Sequence, residues 1–279
     1  MTFTHDTTGP GEMVVVDERR AIRATEPRVL VTNDDGIDSP GLRRLARRLA
    51  EDFDVVVVAP SREMSGTGTA LGRFDPIAGV ELTRVDVEGV ETAFSIDGPP
   101  GMAVLSASLG AFGEPPDLVV SGVNAGLNTG HSVIHSGTVG AALTARTLGS
   151  RAVAVSLDRT EVWHWDTAVE VALSAVEWVL DHAAGQFVLN VNVPGRPIDD
   201  VVGIHWADLD AFGHIRVATA DVPARRLEFG VRGSGSGLDP GSDTALCRDG
   251  YVTVTLLSTV EPLPFPPEKA KTIWDPSRR

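Results

Sequence analysis

The chain has 279 residues, 42% of them hydrophobic and 22% charged, which suffices to bury one sizeable core as a single large α/β domain or as a domain with an appendage. A formal net charge of −14 argues against a groove for a nucleic-acid polymer, since such grooves depend on clustered Lys and Arg, although a small phosphorylated substrate stays compatible if a cation supplies local positive charge. One cysteine, Cys247, leaves no intramolecular disulfide framework, and no stretch has the length and apolarity of a membrane span, so the sequence predicts a cytoplasmic protein that works without a membrane.

Residues 1–26 mix polar, charged, Gly and Pro positions and read as a disordered leader, with the α/β domain expected over 27–260. Val29-Leu30-Val31-Thr32 is a short β-branched run suited to a buried strand. It breaks at Asn33-Asp34-Asp35-Gly36 into a helix: Ser39 stands at the cap, Pro40 at the first helical position, and Leu42, Leu45, Ala46 and Leu49 recur at helical spacing. Asp34 and Asp35 therefore sit at the carboxyl end of a strand, where open α/β sheets bind ligands. Two adjacent like charges there repel unless a cation or a shared proton offsets them, and a hard divalent metal suits the pair.

Residues 54–60 form a second buried strand and complete a βαβ unit, but no G-x-G-x-x-G follows the first strand, which argues against a dinucleotide cofactor. The small-residue loop 61–72, with Ser65, leaves the same sheet edge. Residues 80–87 and 91–96 alternate around Glu88-Gly89 as a hairpin, and a weak helix follows over 100–109. Residues 117–121 are another buried strand, emptying into the Gly/Asn-rich loop 122–130 with Asn124 and Asn128. His135-Ser136-Gly137-Thr138 leads into a small-residue helix over 139–148 and a strand over 152–156. Residues 166–183 make the clearest amphipathic helix, with Val169, Ala172, Leu173, Val176, Val179 and Leu180 on one face, and 187–193 closes the α/β region as a strand. Beyond Pro194, residues 214–218 and 225–231 read as arms of a hairpin, 233–237 as a flexible link and 251–257 as a last strand. The tail over 261–279 has four prolines by Pro267 and is expected to be extended.

Three loops thus meet on one sheet edge with hard oxygen donors: Asp34 and Asp35, Ser65, and Asn124. Magnesium, manganese or calcium prefers such donors, whereas zinc selects His or Cys. Ser136-Gly137-Thr138, at a helix start, offers backbone N–H groups and hydroxyls for a phosphate. Metal and phosphate sites together suggest phosphoryl-ester hydrolysis. The plainer alternative is that the aspartates merely cap the next helix and that the glycines and asparagines of 122–130 serve turns. A haloacid-dehalogenase-like phosphatase needs two carboxylates separated by one residue, D-x-D, at the strand end, whereas Asp34 and Asp35 are adjacent, and a serine hydrolase needs G-x-S-x-G, which does not occur. A non-catalytic nucleotide-binding protein remains the rival outside the enzymes.

The strings VLVTNDDGIDSPG, VVAPSREMSG, PDLVVSGVNAGLNTG and SGTVGAA, in this order and spacing, resemble the SurE survival-protein family of metal-dependent 5′/3′-nucleotidases and acid phosphatases, and the likeness extends through LNVNVP and SDTALCRDGYVTVT from about Arg28 to Leu257. The resemblance implies a Rossmann-like, mostly parallel sheet with helices on both faces. It also implies a protruding hairpin, here 205–235, and a C-terminal segment exchanged in a homodimer or homotetramer. It implies one divalent cation per subunit, Mg2+ or Mn2+, on Asp34, Asp35, Ser65 and Asn124, with the two aspartates catalytic. Asn128, His135 and Ser136-Gly137-Thr138 would face the phosphate of a small substrate, a nucleoside 5′- or 3′-monophosphate or another phosphomonoester. Three departures stand out. Gly98-Pro99-Pro100-Gly101-Met102-Ala103 replaces G-T-P-x-D-C, His135 replaces a tyrosine, and Leu256 replaces a proline.

Overall fold

The computed structural model describes residues 26–73, 75, 77–182, 187–211, 217–221, 226–230 and 238–260; the expected leader, apart from Glu26, and the tail over 261–279 lie outside them. β1 (Arg28–Thr32), α1 (Pro40–Leu49) and β2 (Asp54–Pro60) form the βαβ unit, β1 and β2 being parallel. Ser39 occupies the cap of α1 but its side chain accepts no hydrogen bond there; Pro40 supplies the start by its fixed φ. β3 (Leu82–Arg84) and β4 (Thr92–Ile96) are the predicted hairpin, closed by Val90 N–H donating to Val87 O at 3.0 Å across Glu88 and Gly89. α2 (Pro100–Ser108), β5 (Leu118–Ala125), α3 (Gly137–Thr147), β6 (Arg151–Leu157), α4 (Trp165–Asp181) and β7 (Val188–Val193) then alternate. β5 differs from expectation by running on past Ser121 to Ala125, with a shift of register against β6 between Ser121 and Asn124.

Nor does β7 close the sheet. β8 (Gly203–Trp206), β9 (Val217–Asp221), β10 (Arg226–Gly230), α5 (Asp243–Arg248) and β11 (Tyr251–Leu257) follow, and the main sheet has nine strands in the order β3-β4-β2-β1-β5-β6-β7-β11-β8. β11 lies antiparallel to β7 and parallel to β8. β9 and β10 pair antiparallel in a separate two-stranded sheet. The hairpin arms thus begin at Val217, and His205 and Trp206 belong to an edge strand of the main sheet.

The period-2 alternation of the central strands builds a three-layer sandwich. Val29 and Val31 of β1, Val55, Val57 and Ala59 of β2, and Val153 and Val155 of β6 pack with Leu42, Leu45 and Leu49 of α1 and Val169, Ala172 and Val176 of α4. Their neighbours Leu30, Val56, Val58, Ala152 and Ala154 face Met102 and Val104 of α2 and Val139 and Ala142 of α3 on the other side.

Small residues let the layers close up where the site is built. A Cβ on Gly41 would lie 2.3 Å from Val123 O and 2.8 Å from the Trp165 ring, so α1 rests directly on the irregular end of β5. Gly41→Ala must push that strand end or the indole aside. Overpacking of this kind costs roughly 1–3 kcal/mol, or roughly 3–10 °C in Tm for a chain of this size. Thermal unfolding followed by circular dichroism checks this, and an unchanged Tm would show that the contact is not tight.

Candidate active site

β2 and β4 lie on one side of β1 in the sheet, and β5, β6 and β7 on the other. The chain therefore reverses its direction of winding between β1 and β5, and at such a switch point the two following loops diverge and leave a crevice. Asn33-Asp34-Asp35-Gly36 leaves β1 there, and Asn124 and Ala125 end β5. The turn is fixed by Asn33, whose side chain donates to Gly36 O at 3.1 Å and accepts from Gly36 N–H at 3.2 Å, while Gly36 has a φ of +101° that favours glycine.

Asp34 is 2% exposed. Its Oδ1 accepts a hydrogen bond from the Thr138 hydroxyl, which ties α3 to the end of β1, and Thr138 Oγ1 also lies 3.3 Å from Asn124 Oδ1 at the end of β5. Asp35 Oδ2 accepts Ala125 N–H at 3.1 Å. Ser136 caps α3 through its side chain, accepting Val139 N–H at 3.1 Å. A Cβ on Gly137 would fall 2.7 Å from Asp34 Oδ2 and 2.9 Å from Thr67 Oγ1, which is why the first residue of α3 has no side chain. The N–H groups of Gly137 and Thr138 favour the ionised form of Asp34, so the positive end of α3 serves this aspartate.

Not every residue singled out in the sequence turns its side chain into this cluster. The 61–72 loop reaches it through Met64 N–H, which donates to Asp34 O at 2.7 Å, but the exposed Ser65 directs its hydroxyl to Glu63 Oε1 at 3.0 Å. Asn128 donates its amide to Ser156 Oγ at 2.8 Å, and its carbonyl accepts from Asn190 and Asn192, both at 3.0 Å. His135 is exposed, and its carbonyl accepts Gly68 N–H at 3.1 Å.

Three features escaped the sequence reading. Glu63 adds a third carboxylate whose charge acts on Asp35. Asn190 and Asn192 are fully buried on β7 and hold the Asn128 loop; polar residues two apart in a core strand were the available signal. Asp243, fully buried at the start of α5, accepts Gly130 N–H at 2.8 Å and Asp210 N–H at 3.0 Å, and so fastens the 3-10 helix Gly130–His135 that leads into α3.

Electrostatically the corner is unbalanced. Burial raises the Asp34 carboxyl above its ordinary range despite the Thr138 hydroxyl and the helix N–H groups. Burial, then the charges of Asp34 and Glu63, push Asp35 up to about 6 against one opposing bond from Ala125. Among the described residues no basic side chain pairs with either aspartate. Beneath them the buried hydroxyls of Thr32 and Ser121, partners in register across β1 and β5, have no hydrogen-bond partner among the described residues. Carboxylate, amide and hydroxyl oxygens with surplus negative charge fit a hard divalent cation.

Comparison with known proteins gives the family. A family model described as "Survival protein SurE" matches residues 29–212. The chain belongs to the SurE family. It is 39% identical over 235 residues to the 5′-nucleotidase SurE of Halorhodospira halophila, an alignment covering 81% of this chain and 90% of that one. It is 38% identical over 231 residues to the 5′-nucleotidase SurE of Alkalilimnicola ehrlichii, covering 81% and 87%. The crystal structure of the SurE protein from Aquifex aeolicus superposes with a TM-score of 0.72 at 29% identity, over 88% of this chain and 98% of that one. The SurE match embraces both ends of the switch point, since β1 from its second residue, β2, β5 and α3 lie inside it.

The raised carboxyls give a sign to the pH dependence. Between the ordinary value of 3.8 and about 6, native Asp35 binds more protons than unfolded Asp35. Its contribution to stability is therefore full below that window and is lost as pH rises through it. Metal-free protein should lose Tm relative to Asp35→Asn between pH 4 and pH 7, and Mg2+ or Mn2+ should restore Tm at pH 7 far more than at pH 4. Differential scanning fluorimetry of both proteins with and without cation tests this. A cation effect equal at both pH values would contradict it.

Proposed function

We propose that this protein is a metal-dependent phosphomonoesterase that removes phosphate from nucleoside 5′- or 3′-monophosphates. The observation that carries the reading is the pair Asp34 and Asp35 at the β1/β5 switch point, two neighbouring carboxylates without a basic partner among the described residues, joined through Thr138 to Asn124 and to the positive end of α3. The relatives bearing the name 5′-nucleotidase support the same chemistry.

In this reading Asp34 and Asp35 would hold one Mg2+ or Mn2+ per subunit, with Asn124 Oδ1 as a neutral oxygen and the Ser65 hydroxyl joining once it turns away from Glu63. A cation bound there would supply Lewis-acid polarisation of a phosphate oxygen and would lower the pKa of water. Thr138 keeps its proton on Asp34 and so fixes the direction of that carboxylate. Ser136, Gly137 and Thr138 present the N-terminal dipole of α3 on the phosphate side, and Asn128, clamped from β6 and β7, shapes the loop opposite. His135, exposed beside Ser136, would face the phosphate in this reading.

Replacing Asp34 or Asp35 by Asn removes half of the charge facing the cation, and even changes one shell further out commonly lower affinity or activity roughly 10- to 100-fold. Both variants should fall at least that far in kcat/KM and bind less metal, while Ser65→Ala and Asn124→Ala should be milder. Phosphate release from a panel of monophosphates, with bound metal measured by elemental analysis, decides the matter. Full activity with unchanged metal content in either aspartate variant would refute the assignment.

We also infer a homodimer or homotetramer, built with the 205–235 segment. Ile204 and Trp206 of the edge strand β8 are 63% and 55% exposed, and they border an apolar groove of about 350 Å3 with Trp178 and Val254. A second copy of this chain would cover that surface. Light scattering at micromolar concentration should give a multiple of the monomer mass, reduced by Trp206→Glu; an active wild-type monomer would contradict it. We further propose a domain spanning 27–260 and a cytoplasmic location, the latter supported by Cys247 being the one cysteine of the chain and buried. No helix among the described residues is long and apolar enough to cross a membrane.

A further inference from the structure

We propose that Asp243 is a positioning residue for the reaction. Its carboxylate fixes the 3-10 helix Gly130–His135 and, through it, the Ser136-Gly137-Thr138 start of α3. It thereby sets the hold on phosphate and leaves the hold on the cation unchanged. The proposal rests on the phosphomonoesterase reading above and extends it to a buried charge that touches neither cation nor ester.

The number and placement of its donors require a carboxylate here. Asp243 is fully buried, and among the described residues no basic side chain pairs with it. Burial raises its carboxyl above the ordinary range, against the N–H groups of Asp210, Gly130 and Thr244 and the Thr244 hydroxyl. Oδ2 accepts Gly130 N–H at 2.8 Å, while Oδ1 accepts the N–H groups of Thr244 at 2.7 Å and of Asp210 at 3.0 Å. Both oxygens therefore face donors, and these donors come from three separate stretches of chain. An amide has one acceptor oxygen and turns an NH2 group to the other side, so asparagine satisfies only part of this set. A charge held out of water without a basic partner is costly, and what it secures here is a fixed backbone geometry.

That geometry reaches the phosphate side by a short route. Residues 208–210 form a strap between two other segments: Asp243 N–H donates to Asp208 O at 2.8 Å, and His131 N–H donates to Asp210 O at 3.0 Å. With the Asp243 carboxylate on Gly130, the 3-10 helix is held at its first two N–H groups. Its last carbonyl, on His135, accepts Gly68 N–H at 3.1 Å, and Ser136, the cap of α3, follows directly. The cation side is braced by other bonds. Those between Asn33 and Gly36 fix the turn that carries Asp34 and Asp35, and Asn124 stands on β5 in register with Ser156 of β6. Loss of the Asp243 carboxylate therefore loosens the approach to α3 and leaves the aspartate turn in place.

Asp243→Asn in the full-length protein is the test, since it keeps the size of the side chain and removes one acceptor. Hydrogen–deuterium exchange should quicken at the amides of Gly130 and His131 while β1 and α1 keep their protection, a local pattern that general loss of stability does not give. Calorimetric titration should show Mg2+ or Mn2+ bound as in the wild type. Inorganic phosphate should bind the metal-loaded variant roughly tenfold more weakly, the size expected for one lost hydrogen bond to a charged group. KM for a phosphomonoester should rise by a similar factor with kcat little changed, as for an interaction made equally in ground and transition states. His131→Pro, at an exposed position, removes the neighbouring bond to Asp210 O and should move the same quantities in the same direction, so the test does not depend on the buried variant folding. Wild-type phosphate affinity in either folded variant, no phosphate binding by the wild type, or a cation affinity that falls by as much would overturn the proposal. Exchange that quickens everywhere at once would assign Asp243 to stability alone and overturn it equally. Local exchange with weakened phosphate binding, in a protein that releases phosphate from no ester, would uphold the positioning and refute the activity.

Discussion

Two carboxylates side by side in a nearly closed corner are the constraint around which this molecule is arranged. Burial and mutual repulsion both oppose their ionisation, and the chain supplies no basic partner among the described residues. What it supplies is weaker and directional: a threonine hydroxyl, the N–H of Ala125 and the first turn of α3. Such groups orient the carboxylates without neutralising them, so the remaining charge is available to a cation. The small residues nearby follow from that need. Gly137 lets α3 come down onto Asp34, and Gly140 lets the same helix meet the backbone of Gly68.

Much of this was legible in the sequence because the central strands and helices obey simple periods. Unbroken apolar runs in β1, β2 and β6 report strands buried on both faces, and the apolar stripe of α4 supplies one of the covering layers, as in an α/β sandwich. The aspartate pair could be placed because the strand before it and the proline-started helix after it fix the turn. β8 left no such mark, since all three of its side chains, after Gly203, are exposed, and α5 has only six residues, too few to display a helical repeat. Extension of β5 past Ser121 was hidden by glycine and asparagine, which ordinarily signal a loop.

The limits at the site have the same origin. Residue types revealed which oxygens were hard donors, but not which way a side chain turns once its neighbours compete for it. Ser65 has Glu63 two positions away as an acceptor, and Asn128 finds Ser156 and two buried asparagines. Asp243 lies far along the chain from the residues it fastens, and nothing in local pattern joins position 243 to position 130.

That last bond bears on how the protein is made. A nascent chain that has emerged as far as Val193 already contains both aspartates, Asn124 and α3, yet it lacks the buried carboxylate that pins Gly130 and the strand that covers β7. Until β11 arrives, the flank of β7 is an open sheet edge able to pair with any extended segment nearby. Ribosomal delivery therefore presents the two aspartates early and their fastening last, and the period between the two is when this sheet edge is open to mispairing.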